Sequence, residues 1–127
     1  MRHWKMLSIL SLVAVTSAAA GPRSPTVVAV AMVRDATGAT YFAPSNITAQ
    51  PGDTLRFIVT AGMHDVDFAA DSNPAGVRLP AATALIEHPG EAVNVVVALP
   101  PGTYYFQCDP HVMRGMTGHL TVEAPGR

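Results

Sequence analysis

Apolar and polar positions alternate along most of this chain from Val27 onward, with no sustained helical period. Val27 to Val33 is a valine-rich run that reads as a strand, and Thr40-Tyr-Phe42 extends it or pairs with it. Ile47 to Gln50 and Thr54 to Thr60 read as two extended segments flanking a tight turn at Pro51-Gly-Asp53. Within the second of these, Leu55, Phe57 and Val59 alternate with Arg56, Ile58 and Thr60, which predicts one strongly apolar face and one mixed face. Asp71 to Ala84 is the least regular stretch, with a turn signal at Asn73-Pro-Ala-Gly76. Ala81 to Ile86 reads as a short helix or a poor strand. Ala92 to Leu99, Thr103 to Cys108 and Gly118 to Glu123 complete the strands, and the tail from Ala124 to Arg127 is expected to fray. Short strands punctuated by Pro and Gly predict an all-β domain, either a β-sandwich or a small barrel, without a repeat or a second domain.

The amino terminus changes the picture of the mature chain. Arg2 and Lys5 precede an apolar run from Met6 to Thr16, and Ser17-Ala-Ala-Ala20 forms a small-residue cleavage site. The run is about half of the ~20 residues that span a bilayer, so residues 1–20 read as a cleaved export signal rather than an anchor. The expected product is a soluble domain over residues 21–127, periplasmic or otherwise exported and not inserted in a membrane. The whole chain has 8 basic and 9 acidic residues, a formal net charge of −1. Removal of the signal leaves six arginines and no lysine against nine acids, about −3. No basic stripe suggests nucleic acid as a partner.

One cysteine, Cys108, in an exported protein forms no internal disulfide and calls for another explanation. An inert buried thiol is one answer and a metal thiolate the other. Its neighbours favour the metal. Tyr104-Tyr-Phe-Gln-Cys108-Asp-Pro-His111-Val-Met-Arg-Gly-Met116 sets a thiolate, an imidazole and a thioether on one short loop with the spacing C-x2-H-x4-M. A second imidazole must come from elsewhere in the fold, and His64 is placed for it. Thiolate and thioether are soft donors suited to Cu(I), while imidazole suits both oxidation states. Two histidines and a cysteine with a weak axial methionine describe a blue-copper electron-transfer site. Met113 is a rival to Met116 for the axial position. His88 reads as a surface-turn residue and His119 as a solvent-facing strand residue, and His3 leaves with the signal.

Thr103 to His111, continued by Gly115-Met116-Thr-Gly-His-Leu-Thr-Val122, resembles the copper loop of the cupredoxins, the blue-copper proteins of plastocyanin and pseudoazurin type. Phe42-Ala-Pro and Pro51-Gly-Asp-Thr54, followed by His64, resemble the upstream half of that family. The resemblance implies a cupredoxin-like Greek-key β-sandwich of about seven or eight strands holding one type 1 copper ion. His64, Cys108 and His111 would be its strong ligands and Met116 its axial one. It also implies that His111 lies nearest solvent, in an apolar patch to which Pro110, Val112 and Met113 contribute, with Arg114 on the rim. The position after the first histidine is usually asparagine in this family and here is Asp65. A carboxylate there can accept the bonds that tie the ligand loops together but cannot donate an amide proton. The function expected is that of a monomeric one-electron carrier meeting protein redox partners transiently, with Asp65, Asp67 and Asp109 steering a basic partner. A copper buffer or delivery module could use the same ligands. An enzyme of this lineage would need further copper centres, whereas the chain has histidines and a cysteine for one, and a second cysteine to bridge a binuclear centre is missing.

Overall fold

The computed structural model describes residues 23–125; the expected signal over residues 1–20 and the start of the mature chain lie outside the described residues. The alternating segments form seven strands: β1 (Val27–Arg34), β2 (Thr40–Ala43), β3 (Asn46–Ala49), β4 (Thr54–Val59), β5 (Ala92–Val96), β6 (Gly102–Gln107) and β7 (Thr117–Val122). Four of them make one sheet in the order β2-β1-β4-β5, and three make another in the order β3-β7-β6. Among the described residues the remaining regular structure is two short 3-10 segments, Ala70–Ser72 and Asp109–Arg114.

Side chains at every second strand position meet between the sheets, which is what a period of two requires. Leu55, Phe57 and Val59 of β4 and Val30 and Met32 of β1 are buried from one side. Phe106 of β6, Leu120 and Val122 of β7 and Ile47 of β3 are buried from the other. Phe106 packs edge-on against Phe42 and Phe57, with ring centroids 4.9 and 5.6 Å away. Burial of each such ring contributes about 1.5–3 kcal/mol.

The Pro51–Asp53 turn forms as expected, but it carries the chain from one sheet to the other. β3 pairs in parallel with β7, whereas β4 pairs with β1 and β5. Asp53 anchors this crossing. Its buried carboxylate pairs with Arg23 and accepts from the backbone N–H groups of Thr26 and Gln50, both at 2.9 Å.

Ala81 to Ile86 is neither the helix nor the strand its sequence suggested. The His64 segment captures it: His64 and Ile86 exchange backbone hydrogen bonds of 3.0 and 2.9 Å, and Thr83 bonds Val66 twice. A short alanine-rich run has too little side-chain surface to set its own conformation, so these long-range bonds decide it.

Candidate metal centre

Two loops and one strand end build the site. His64 follows β4 and the loop residues Ala61 and Gly62. Cys108 ends β6, and the 3-10 segment after it carries His111 before β7 begins. The copper loop is closed by its own backbone. Cys108 N–H donates to the Met116 carbonyl at 3.1 Å, His111 N–H to the Cys108 carbonyl at 3.0 Å, and Met116 N–H to the His111 carbonyl at 3.3 Å. Pro110 at the start of the 3-10 turn has no N–H to leave unpaired, and Gly115 supplies the left-handed residue that ends it, with φ of 83°.

His64, Cys108 and His111 converge, with one donor atom from each lying within 4.8 Å of the others. Cys108 Sγ is 3.7 Å from His64 Nδ1 and 3.4 Å from His111 Nδ1. Bond lengths of about 2.0–2.1 Å to nitrogen and about 2.3 Å to sulfur imply nitrogen–sulfur separations of about 3.6–3.8 Å around one first-row ion. The donor spacing fits such an ion with little adjustment. The tautomer of His64 fits as well. Its Nε2 lies 2.8 Å from the Ala61 carbonyl, which can only accept, so Nε2 carries the proton and Nδ1 presents its lone pair toward the sulfur. Gly62 leaves room for this ring, since a Cβ there would stand 3.1 Å from His64 Nε2.

Burial grades the set. His64, Cys108 and Met116 are fully buried, and His111 is half-buried. Met113, by contrast, is 95% exposed, its thioether almost wholly in water. Burial pushes the Cys108 thiol up to about 11, with the backbone N–H groups of Asp65 and His111 partly offsetting it. The His111 imidazole is held below its ordinary value, first by burial and then by the charges of His64, Arg114 and Arg34.

Asp65 plays the part open to a carboxylate. It accepts the Asp109 N–H at 2.7 Å and so joins the His64 loop to the start of the copper loop. It is buried, and burial raises its pKa, so it is poorly placed to steer a partner. Asp67 is raised by burial and by the carboxylates of Asp109, Asp65 and Asp71. His88 is exposed, and the exposed His119 packs against the Tyr105 ring; neither joins the cluster.

A clamp that the sequence did not announce is Asn73. Its side chain donates to the Tyr105 carbonyl at 2.9 Å and accepts the Tyr105 N–H at 2.8 Å, standing in for a neighbouring strand on the edge of β6. The turn signal at Asn73-Pro gave no hint of this, because the partner lies 32 residues away.

The sequence of residues 28–123 matches the family model described as copper binding proteins, plastocyanin/azurin family. Plastocyanin of Prochlorothrix hollandica is 38% identical over 126 residues, covering 96% of this chain and 93% of that protein. The chloroplastic plastocyanin of Oryza sativa subsp. indica is 38% identical over 88 residues, covering 67% of this chain but only 56% of that protein's length. The oxidised plastocyanin of the fern Dryopteris crassirhizoma superposes with a TM-score of 0.60 at 31% identity, covering 76% of this chain and all of that one. The chain belongs to the plastocyanin/azurin family of copper-binding proteins, and its two sheets form the family's β-sandwich around a site for one type 1 copper ion.

Proposed function

We propose that this protein is an exported one-electron carrier, with His64, Cys108 and His111 as the strong copper ligands and Met116 as the axial one. The convergence of two imidazole Nδ1 atoms on one buried thiol carries the reading. Bound there, copper supplies a Cu(II)/Cu(I) couple. The chain supplies a fixed frame for it. Ala61 locks the His64 ring, three backbone bonds close the loop around Cys108, and Asp65 joins the two ligand segments. Donors held this way move little when the oxidation state changes, which favours fast exchange. Full burial of Met116 beside the exposure of Met113 supports Met116 as the axial donor.

His111 gives the electron a way out. It is the strong ligand that reaches the surface, next to exposed Pro110 and Met113, a small apolar area suited to brief contacts with a redox partner. Among the described residues one metal-ligand cluster is found and no helix is long and apolar enough to cross a membrane. The charged start at Arg2 and Lys5, the apolar run after it and the small residues Ser17 to Ala20 support a cleaved signal over residues 1–20, which would direct the carrier to the periplasm or a comparable exported compartment.

Addition of Cu(II) to the purified protein should give an intense visible thiolate-to-copper band that bleaches and returns through reversible one-electron cycling. Cys108→Ser should abolish the band; a band that persisted in this variant would overturn the site.

A further inference from the structure

Sulfur is graded sharply by depth in this molecule. Cys108, Met32 and Met116 are fully buried, Met63 is 42% exposed and Met113 is 95% exposed. Peroxides attack a thioether that is open to water far faster than one enclosed in a core. The ligand loop itself holds Met113 outside. Gly115 N–H donates to the Val112 carbonyl at 2.9 Å and Met116 N–H to the His111 carbonyl at 3.3 Å, and this turn sends Met116 into the core and Met113 to the opposite side. Met113 therefore has no way inward that keeps these bonds. Its place in the chain matters as much as its exposure. It stands two residues beyond His111 on the same 3-10 segment, beside exposed Pro110 and half-buried Val112. Among the described residues, the other large apolar side chains exposed by more than half are Val27, Leu85 and Val96, none of which carries sulfur. The most oxidisable group on the described surface thus lies on the segment through which the electron leaves.

We infer that Met113 is a reversible oxidation site, taking one oxygen from a hydroperoxide to become a sulfoxide that slows electron exchange through His111 and leaves the copper ligands intact. The inference rests on the electron-carrier reading and deepens it by giving the exit a chemical control. In the step, a lone pair on Met113 Sδ attacks the near oxygen of hydrogen peroxide. The S–O bond forms as the O–O bond breaks; the sulfur loses two electrons and the peroxide gains them. The departing hydroxide takes the proton left on the transferred oxygen and leaves as water. The product replaces a flexible apolar side chain by a polar, hydrated one. A protein pressed against His111 must strip that water and offers no donor of its own in an apolar contact, which weakens the encounter. Met116 keeps its thioether because it is fully buried, so the metal's donors do not change. Exposure also makes the change reversible, because the sulfoxide is open to a reducing enzyme.

The Cu(II) protein is treated with hydrogen peroxide, and the oxidised residue is located by peptide mass spectrometry. One oxygen should appear on Met113 before Met63 and none on Met32 or Met116, while the visible band and the reduction potential stay as they were. Electron self-exchange between two copies, read from NMR line widths, brings two His111 faces together and should fall about tenfold on oxidation. Methionine sulfoxide reductases acting on both sulfoxide epimers should restore the original rate. Met113→Leu should exchange at the parent rate before and after peroxide. Met113→Gln, polar without any oxidant, should exchange slowly from the outset with an unchanged band. Oxygen arriving first on Met63 or Met116 overturns the proposal, as does a self-exchange rate that is unchanged when Met113 is fully oxidised. Loss of the band with oxidation confined to Met113 overturns it too, because the sulfur would then belong to the metal site. A protein that forms no visible band at all removes the electron-carrier reading and the control of exchange with it; the order of oxidation in the copper-free protein then still decides whether Met113 is the oxidation site.

Discussion

The buried thiol of Cys108 makes a quantitative prediction about both the copper-free fold and copper loading. Burial raises this group from 9.0 to about 11. The folded chain thus holds the proton more tightly than the unfolded chain does. That stabilisation is fully present below about pH 9 and is lost as pH rises toward 11. A difference of about 2 in pKa corresponds to roughly 2–3 kcal/mol. Urea unfolding of the copper-free protein should lose about that much stability across this window, relative to Cys108→Ser under the same conditions. The paired comparison matters because Tyr105 is also raised, first by burial and then by nearby carboxylates, and it titrates in the same range. Copper loading draws on the same proton. Deprotonating a thiol of pKa about 11 at pH 7 costs about 5 kcal/mol, so binding should release one proton and strengthen about tenfold per pH unit between 7 and 9. His111, held below its ordinary value, is already neutral over that range and adds no slope. Competition for Cu(I) against a chromophoric chelator, corrected for the chelator's own protonation, measures this. An affinity independent of pH between 7 and 9, together with equal alkaline stability of parent and Cys108→Ser, would refute the reasoning.

Two further outcomes concern the frame around the site. Asp53→Ala should destabilise the fold by about 2–5 kcal/mol in urea unfolding, because the Thr26 and Gln50 N–H groups lose their acceptor and Arg23 its partner. The Asp53 carboxyl is held well below the usual carboxylate range, chiefly by Arg23, so its contribution is present above pH 4 and fades as the solution is acidified; Asp53→Asn should lack this component of the acid profile. Gly118→Ala should lower stability by about 3 kcal/mol or more and be visible as a drop of about 10 °C or more in Tm, since its Cβ would lie 2.6 Å from the Ser45 carbonyl oxygen and too close to the Phe106 ring to be accommodated. An unchanged melt would mean that β7 can shift away from its neighbours.

Much of this protein was legible in the sequence because the deciding interactions are local or periodic. Leu55, Phe57 and Val59 announce the buried face of β4 by alternation alone, and all three are buried. Cys108, His111 and Met116 announce the copper loop because a turn of this length forces their neighbourhood, and its 3-10 form only tightens it. Tertiary structure decided what depends on residues far apart in the chain. His64 reaches Cys108 across 44 residues because β4 and β6 lie in facing sheets. Met116 is buried and Met113 exposed because only one side of the loop faces the core. The paths of Ala81 to Ile86 and Asn73 were fixed by bonds to His64, Val66 and Tyr105, which no local propensity encodes. The choice of soft donors belongs to the sequence, whereas their meeting at one point belongs to the fold.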